Sequence, residues 1–211
     1  MGSSCCKPDD SQRIDEGIGK DKAADREIKK LLLLGAGSSG KSTFFKQLKC
    51  IHGDGFSKKD RRDYAAQIEN QIITQMQKLI IRARELIEDH GEEKYGELEI
   101  KSEAAKESAS YLELLGTQID FNKEVAEHIK TLWAEPGIQN TWRLRGLISV
   151  PDSCAHFFDS IDQICSDDYT PNDEDILLVR KRTTGIIEEH FLIKATKFHI
   201  FDVGGQRNER K

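Results

Sequence analysis

A glycine-rich turn between an apolar run and a helical pattern is the feature that most constrains this chain. The turn follows Leu31-Leu32-Leu33-Leu34, which predicts a buried parallel strand. It precedes Phe44-Phe45-Lys46-Gln47-Leu48-Lys49, which has the apolar spacing of a helix. Between them stand Gly35, four further residues and Gly40-Lys41-Ser42. A strand, a glycine loop and a helix in this order match the phosphate-loop pattern.

The residue types in this loop suit a phosphate ligand. Glycines let backbone N–H groups curl around an anion, the helix N-terminus adds positive potential, and Lys41 reaches the outer phosphates. Ser42 is placed to ligate Mg²⁺. The predicted nucleotide-binding residues of the loop are Gly37, Ser38, Ser39, Gly40, Lys41, Ser42 and Thr43. The alternative is a glycine-rich turn with a solvated lysine.

Composition limits the class of protein. The chain has 211 residues, 37% of them hydrophobic and 33% charged, which suits a globular protein. Its net charge of −5 gives no general nucleic-acid signal. The longest apolar run is far shorter than the roughly 20 residues that a membrane span needs. Three of the five cysteines are scattered without metal-ligand spacing, which favours a reducing, cytosolic compartment.

The N-terminus has features of a lipid anchor. Gly2 is the residue that N-myristoylation needs, and Cys5 and Cys6 are candidates for palmitate. Cys6 stands where the myristoylation pattern usually has a hydroxyl residue, so a disordered tail with unmodified thiols is the alternative. Residues 11–30 are polar with few apolar anchors, which predicts a solvated linker or a helix completed by a partner.

A helical region interrupts the α/β pattern. Gly53-Asp54-Gly55 reads as a break, and residues 64–87 then have the spacing of one long amphipathic helix that His90-Gly91 ends. Further helical patterns cover residues 125–133 and 154–164. The stretch 57–172 is therefore predicted to be all helical, with its methionine and aromatic residues in the core.

Short strands then return at residues 191–195 and 197–203, joined by a tight connection. Between the helices and these strands, residues 175–185 read as a basic loop. Because a phosphate-loop NTPase needs a second oxygen ligand for Mg²⁺ and often an arginine against the transferring phosphoryl group, Thr183 and Arg180 are candidates for these roles. Asp202 at a strand end suits the metal shell, followed by a glycine N–H for the γ-phosphate and a glutamine for the attacking water.

At this point the chain resembles the α subunit of a heterotrimeric G protein. The matching pieces are the lipidation-like start, residues 31–49, the helical insertion, Leu132-Trp133, Gly137-Ile138-Gln139, Asp152-Ser153, Asp168-Tyr169 with Pro171, Arg180 with Thr183-Thr184-Gly185, and residues 201–207. The resemblance implies an α/β phosphate-loop GTPase (Ras-like) domain, incomplete at its C-terminus, with an inserted all-α helical domain. The implied domains are an N-terminal lipidated, βγ-binding segment at 1–30, GTPase-domain parts at 31–56 and 175–211, and the helical domain at 57–174.

The resemblance also implies roles for single residues. Arg180 is similar to the built-in arginine finger of the family, and Gln206 to its water-positioning glutamine. Gly205 would sense the γ-phosphate, and Ser42, Thr183 and, through water, Asp202 would hold Mg²⁺. The remaining nucleotide contacts implied are Asp152, Ser153, Leu177, Leu178 and Val179. An ordinary helix N-cap is the alternative role for Asp152.

The implied function is a GTP- and GDP-binding GTPase at the cytoplasmic face of the plasma membrane. Its expected partners are a βγ dimer, a seven-helix receptor, effectors, GTPase-activating regulators and, through lipid, the inner leaflet. A non-catalytic interaction protein that engages βγ or regulators is the competing hypothesis. An ATPase or kinase that uses the same loop is a third, which the match to a GTPase switch pair disfavours.

Departures from the family pattern affect several contacts. Ser38 stands where the family usually has an acidic residue, and Leu178 and Val179 replace an arginine and a threonine. The guanine-reading Asn-Lys-x-Asp and Thr-Cys-Ala motifs do not occur in these 211 residues. We therefore expect a fragment whose Leu31 to Leu34 run is uncovered, and which aggregates or binds nucleotide poorly.

Overall fold

The computed structural model describes residues 28–37, 39–115, 120–181, 183 and 185–204. These residues form a mixed α/β structure with a small sheet and many helices. They divide into two compact units. The sheet unit comprises the described residues up to Gly55 and from Thr183 onward, and the helical unit runs from Phe56 to Lys181. The sequence predicted a helical domain at 57–174, so its predicted start differs from that of the helical unit by one residue and its predicted end by seven. The domain assignment stays a prediction.

The sheet unit contains three strands and one helix among the residues described. Strand β1 is Lys29–Leu33, helix α1 is Lys41–His52, β2 is Ile186–Ile193 and β3 is Thr196–Val203. The sheet order is β1-β3-β2, with β1 parallel and β2 antiparallel to β3. Phe45 of α1 packs edge-on against Phe191 of β2, with 6.0 Å between ring centroids, and Ile200 of β3 completes this small core.

The prediction of a parallel strand at the leucine run is confirmed, but the prediction that it is buried is wrong. Leu31, Leu32 and Leu34 are 45%, 54% and 74% exposed. The physical reason is that β1 lies at an edge of the described sheet and pairs there with β3 alone. The later expectation of an uncovered leucine run is therefore the one that the structure bears out.

Strand β2 begins at Ile186, five residues before the predicted start. Its first half, Ile186-Ile187-Glu188-Glu189-His190, carries charged and polar side chains that hide the strand pattern in the sequence. These residues are tolerated because β2 is the other edge strand of the described sheet, where charged side chains are common.

The helical unit is organised around α2, Lys58–His90. Ser57 and Asp60 form a capping box at its start, and Gly91, with φ +86°, follows its end. The predicted amphipathic helix is thus confirmed and is six residues longer at its N-terminus. Its predicted apolar face supplies much of the core, with Ile68, Ile72, Met76, Leu79, Ile80 and Ala83 all buried.

Shorter helices pack around α2. They are α3 Glu92–Tyr95, a 3₁₀ turn at Gly96–Leu98, α4 Glu103–Leu114, α5 Lys123–Trp133, α6 Pro136–Arg143, α7 Arg145–Ile148, α8 Cys154–Asp159, α9 Ile161–Ile164 and α10 Asp173–Leu178. Phe157 and Phe158 are fully buried in the same core, as predicted for the aromatic residues. The pattern at 154–164 is two short helices rather than one, with Ser160 between them.

Helix α10 corrects the prediction of a basic loop at 175–185. Asn172 and Asp175 form a capping box that starts a helix at Asp173, and Ile176 is fully buried. The helix ends at Leu178, and Val179 after it is extended. Among the residues that the structure describes, no helix is both long and apolar enough to cross a bilayer.

Candidate functional site

The phosphate-loop residues join the end of β1 to the start of α1. Gly40 precedes the helix with φ +86°, a conformation that residues with a side chain rarely adopt. The ammonium group of Lys41 lies 3.0 Å from the Gly35 carbonyl oxygen and 2.9 Å from that of Ala36. Its Nζ also lies 3.3 Å from Ser39 Oγ. The lysine charge is therefore held over the loop backbone, where an anion would be received.

Three predicted metal-site residues come together beside this loop. Ser42 Oγ donates a hydrogen bond of 2.7 Å to Asp202 Oδ2, and it lies 2.6 Å from Thr183 Oγ1. Thr183 Oγ1 also donates to Asp202 Oδ2 at 3.2 Å. Two hydroxyls and one carboxylate thus converge from α1, the segment before β2, and β3.

The strand register explains why these residues meet. Asp202 is the penultimate residue of β3, and its Cα pairs with that of Leu33, the last residue of β1. Because β1 and β3 are parallel, their carboxyl ends lie at one edge of the sheet, and the loop and Asp202 lie at that edge together. Ligands of open α/β sheets bind at this edge.

The oxygen cluster fits a magnesium ion. Asp202 is 1% exposed, and its Oδ1 finds no hydrogen-bond partner among the described residues. A buried, unpartnered carboxylate oxygen is costly unless another group satisfies it. Mg²⁺ prefers oxygen ligands, often one or two carboxylates together with phosphate oxygens and water. Ser42, Thr183 and Asp202 are of the types that such a shell requires.

Arg180 belongs to the helical unit. Its side chain is exposed, whereas Val179 before it is buried in the helical core. The backbone N–H of Arg180 donates a 2.8 Å hydrogen bond to Oε1 of Gln71 on α2. Leu177 and Leu178 are partly buried at the end of α10. The backbone of the candidate arginine is therefore attached to α2.

Asp152 does not cap a helix, so that alternative is wrong. The residue that precedes α8 is Ser153, which makes no side-chain capping hydrogen bond. The exposed Asp152 carboxylate instead accepts a hydrogen bond from Nε of Arg145. A nucleotide contact for Asp152 and Ser153 stays a prediction.

Several predicted residues lie outside the described part of the chain. They are Ser38, Gly205 and Gln206, and the lipidation candidates Gly2, Cys5 and Cys6.

Gln71 is a residue that sequence reasoning missed. It is 7% exposed and lies among the apolar residues of α2, between Ile68 and Ile72. Its signal in the sequence is a polar side chain on the buried face of an amphipathic helix. Such a group needs a hydrogen-bond partner in the core.

Comparison with known proteins places the chain in a family. A model for the G-protein alpha subunit matches residues 8–211. The chain is 35% identical over 207 residues to the guanine nucleotide-binding protein alpha-17 subunits of Caenorhabditis elegans and Caenorhabditis briggsae. It is 36% identical over 204 residues to a guanine nucleotide-binding protein subunit alpha of Cochliobolus heterostrophus.

Each of these alignments covers 95% of this chain and 55% of the relative, so the chain spans about half the length of the curated relatives that it matches. The family model covers nearly all of this chain, and its match agrees with the resemblance drawn from the sequence motifs. The chain belongs to the G-protein α-subunit family.

Proposed function

We propose that this chain is a guanine-nucleotide-binding, signal-transducing GTPase, the α subunit of a heterotrimeric G protein. The single observation that carries the proposal is the meeting of Ser42, Thr183 and Asp202 beside the Lys41 loop. Family membership supplies the guanine nucleotide as ligand. GTP and GDP are the nucleotides, and Mg²⁺ is the metal that the three oxygens would hold.

The phosphates are received by the loop. Backbone N–H groups of Gly37, Ser38, Ser39 and Gly40, with those of Ser42 and Thr43, would bind the phosphate oxygens in this proposal. Lys41 exchanges its carbonyl contacts for phosphate oxygens, a stronger, charge-assisted interaction. Bound Mg²⁺ would neutralise charge on the β- and γ-phosphates.

Hydrolysis requires a water molecule to attack the γ-phosphorus while the bond to the β–γ bridging oxygen breaks, which yields GDP and phosphate. In our proposal Gln206 orients this water, and the Gly205 N–H binds a γ-phosphate oxygen. Arg180 places positive charge against the transferring group. The remaining nucleotide contacts in this proposal are Asp152, Ser153, Leu177, Leu178 and Val179.

The biological setting follows from the same proposal. The α subunit would bind a βγ dimer, a seven-helix receptor, effectors and GTPase-activating regulators. Lipid on Gly2, Cys5 and Cys6 would hold it at the cytoplasmic face of the plasma membrane, since two lipid signals give stable anchoring.

The test is equilibrium binding of a fluorescent, non-hydrolysable GTP analogue to the purified chain with Mg²⁺. Saturable binding that GTP displaces and ATP does not would support the proposal and overturn the expectation that this chain binds nucleotide poorly. Lys41→Ala should abolish this binding, whereas Lys58→Ala, an exposed lysine at the start of α2, should leave it unchanged.

Failure to bind the analogue would contradict the GTPase proposal. Binding of βγ that is insensitive to Lys41→Ala would then favour the non-catalytic interaction protein. Loss of hydrolysis in Gln206→Leu, with analogue binding retained, would support the catalytic role of the glutamine.

A further inference from the structure

We propose that Gln71 is a positioning residue that fixes the backbone of Arg180 and, through it, the place of the guanidinium group. The inference rests on the proposed function, because it assigns a purpose to Arg180 that only nucleotide hydrolysis would use. The hydrogen bond from the Arg180 N–H to Gln71 Oε1 is 2.8 Å long and joins residues 109 positions apart. Gln71 is 7% exposed, so little water competes for its oxygen.

The second hydrogen bond of the amide sets its orientation. Gln71 Nε2 donates to Cys154 Sγ at 3.5 Å, and Cys154 is 1% exposed. Burial raises the pKa of this thiol to about 11, so it stays uncharged at neutral pH. A backbone N–H can only donate, and it therefore selects the amide oxygen, which leaves the NH₂ group for the sulfur. Both the oxygen and the nitrogen of the Gln71 side-chain amide therefore make hydrogen bonds.

The segment that leads to Arg180 is also anchored in the helical unit. Asp175 of α10 is 4% exposed and accepts hydrogen bonds from the Tyr169 hydroxyl at 3.3 Å and from the Asn172 N–H at 3.1 Å. His156 Nε2 lies 2.7 Å from the other Asp175 carboxylate oxygen. Ile176 and Val179 are buried. The hydrogen bond to Gln71 extends these contacts to the backbone of Arg180.

The exposed side of Arg180 is polar. Arg180 lines a cavity of about 260 Å³ in the helical unit, together with Lys78, Gln75 and Asn70. An arginine side chain has many rotamers, and each of them places the guanidinium group relative to the Cα atom. Fixing the Cα atom therefore restricts the positions that the guanidinium group can reach. Such a restraint acts on the rate of hydrolysis rather than on the affinity for nucleotide.

The test compares three substitutions of Gln71 that differ in the acceptor they offer. Gln71→Met keeps the length without an acceptor, and Gln71→Asn withdraws the acceptor in a smaller polar side chain. Gln71→Glu keeps an acceptor oxygen in place, and the Cys154 thiol can donate to it. Glu88→Met, at an exposed position of the same helix away from the cavity that Arg180 lines, is the matched control.

The first measurement needs no nucleotide. Hydrogen exchange at the Arg180 amide should accelerate about tenfold in Gln71→Met and Gln71→Asn, the effect of losing one net hydrogen bond. It should stay near the wild-type rate in Gln71→Glu and Glu88→Met. Unchanged protection in Gln71→Met or Gln71→Asn, in a variant that retains the wild-type melting transition, would overturn the proposal.

The second measurement is single-turnover GTP hydrolysis. Gln71→Met should slow it about tenfold with the nucleotide Kd unchanged, and Gln71→Glu should restore it. In the Arg180→Ala background, Gln71→Met should have no further effect, because Gln71 acts through Arg180. Independent, multiplying losses would overturn the positioning role. A wild-type chain that fails to hydrolyse GTP would contradict the proposed function, and amide exchange would still decide whether Gln71 fixes Arg180.

Discussion

Ser42 Oγ donates a 2.7 Å hydrogen bond to Asp202 Oδ2 across 160 positions of sequence. Ser42 lies in the first turn of α1 after the phosphate loop, and Asp202 is the penultimate residue of β3, which is parallel to the strand before that loop. This contact joins two parts of the chain that the whole helical unit separates in sequence. It brings the carboxylate to the edge of the sheet at which the loop lies.

Removing the charge of Asp202 tests the metal-binding role of this contact. Asp202→Asn preserves the size of the side chain but weakens its attraction for a divalent cation. We expect the Mg²⁺ concentration that supports half-maximal analogue binding to rise about ten- to a hundredfold. Asp54→Asn, an exposed position in the same unit, is the control. A Mg²⁺ dependence equal to that of the wild type would contradict the assignment.

The sequence predicted the elements around this site well because each has a local pattern. The loop has a fixed glycine and lysine spacing, and α2 repeats its apolar residues every three or four positions. The meeting of Ser42, Thr183 and Asp202 was predicted only through the chemistry of nucleotide hydrolysis. Local patterns do not contain this geometry, since it depends on pairing between distant strands.

The same limit explains the errors. Leu31 and Leu32 read as buried because four consecutive leucines are typical of a covered parallel strand, whereas exposure depends on what lies beside β1. The early part of β2 was missed because edge strands tolerate the charges of Glu188 and Glu189. Gln71 was missed because its partner is a backbone N–H distant in sequence.

Because Gly137 has no side chain, helix α6 lies close to the backbone of Leu98 and Glu99, which precede α4. A Cβ built on Gly137 would lie 2.3 Å from the Glu99 carbonyl oxygen. Because backbone cannot move aside as a flexible side chain can, we expect Gly137→Ala to destabilise the helical unit by about 1–3 kcal/mol. Gly146→Ala, where an added Cβ meets nothing within 4 Å, is the matched control.

The measurement for Gly137 is urea unfolding followed by tryptophan fluorescence. Both tryptophans of the chain, Trp133 and Trp142, lie in the helical unit, so the signal reports on this unit. A lower urea midpoint in Gly137→Ala than in Gly146→Ala is the expected result. Equal midpoints would show that the backbone at Glu99 relaxes without cost.

Glu135 gives the helical unit a defined pH dependence. Burial opposes its ionisation, but hydrogen bonds from Ser102 Oγ at 2.7 Å and the Lys101 N–H at 3.0 Å outweigh burial and lower the pKa below its ordinary value of 4.5. A carboxyl whose pKa is lower in the folded state stabilises the fold above its unfolded pKa. That contribution is lost as the pH falls through the folded pKa.

We therefore expect Glu135→Gln to flatten the loss of stability below pH 4.5. The Tm from tryptophan fluorescence, measured between about pH 6 and pH 3, should fall less steeply in the variant than in the wild type. Glu88→Gln, at an exposed position on α2, should follow the wild-type curve. Parallel curves for Glu135→Gln and the wild type would contradict the role of these hydrogen bonds.

The exposed leucines of β1 should promote self-association. A strand at an open edge with exposed apolar side chains offers both backbone hydrogen-bonding groups and apolar surface to another chain. Leu32, which is 54% exposed, lies on this strand. Leu32→Lys should therefore reduce the fraction of aggregated chain in sedimentation velocity, because edge lysines disfavour strand pairing. Leu114→Lys, at a position 87% exposed at the end of α4, removes a comparable leucine from a helix. If both substitutions reduce association equally, general charge rather than the β1 edge governs it.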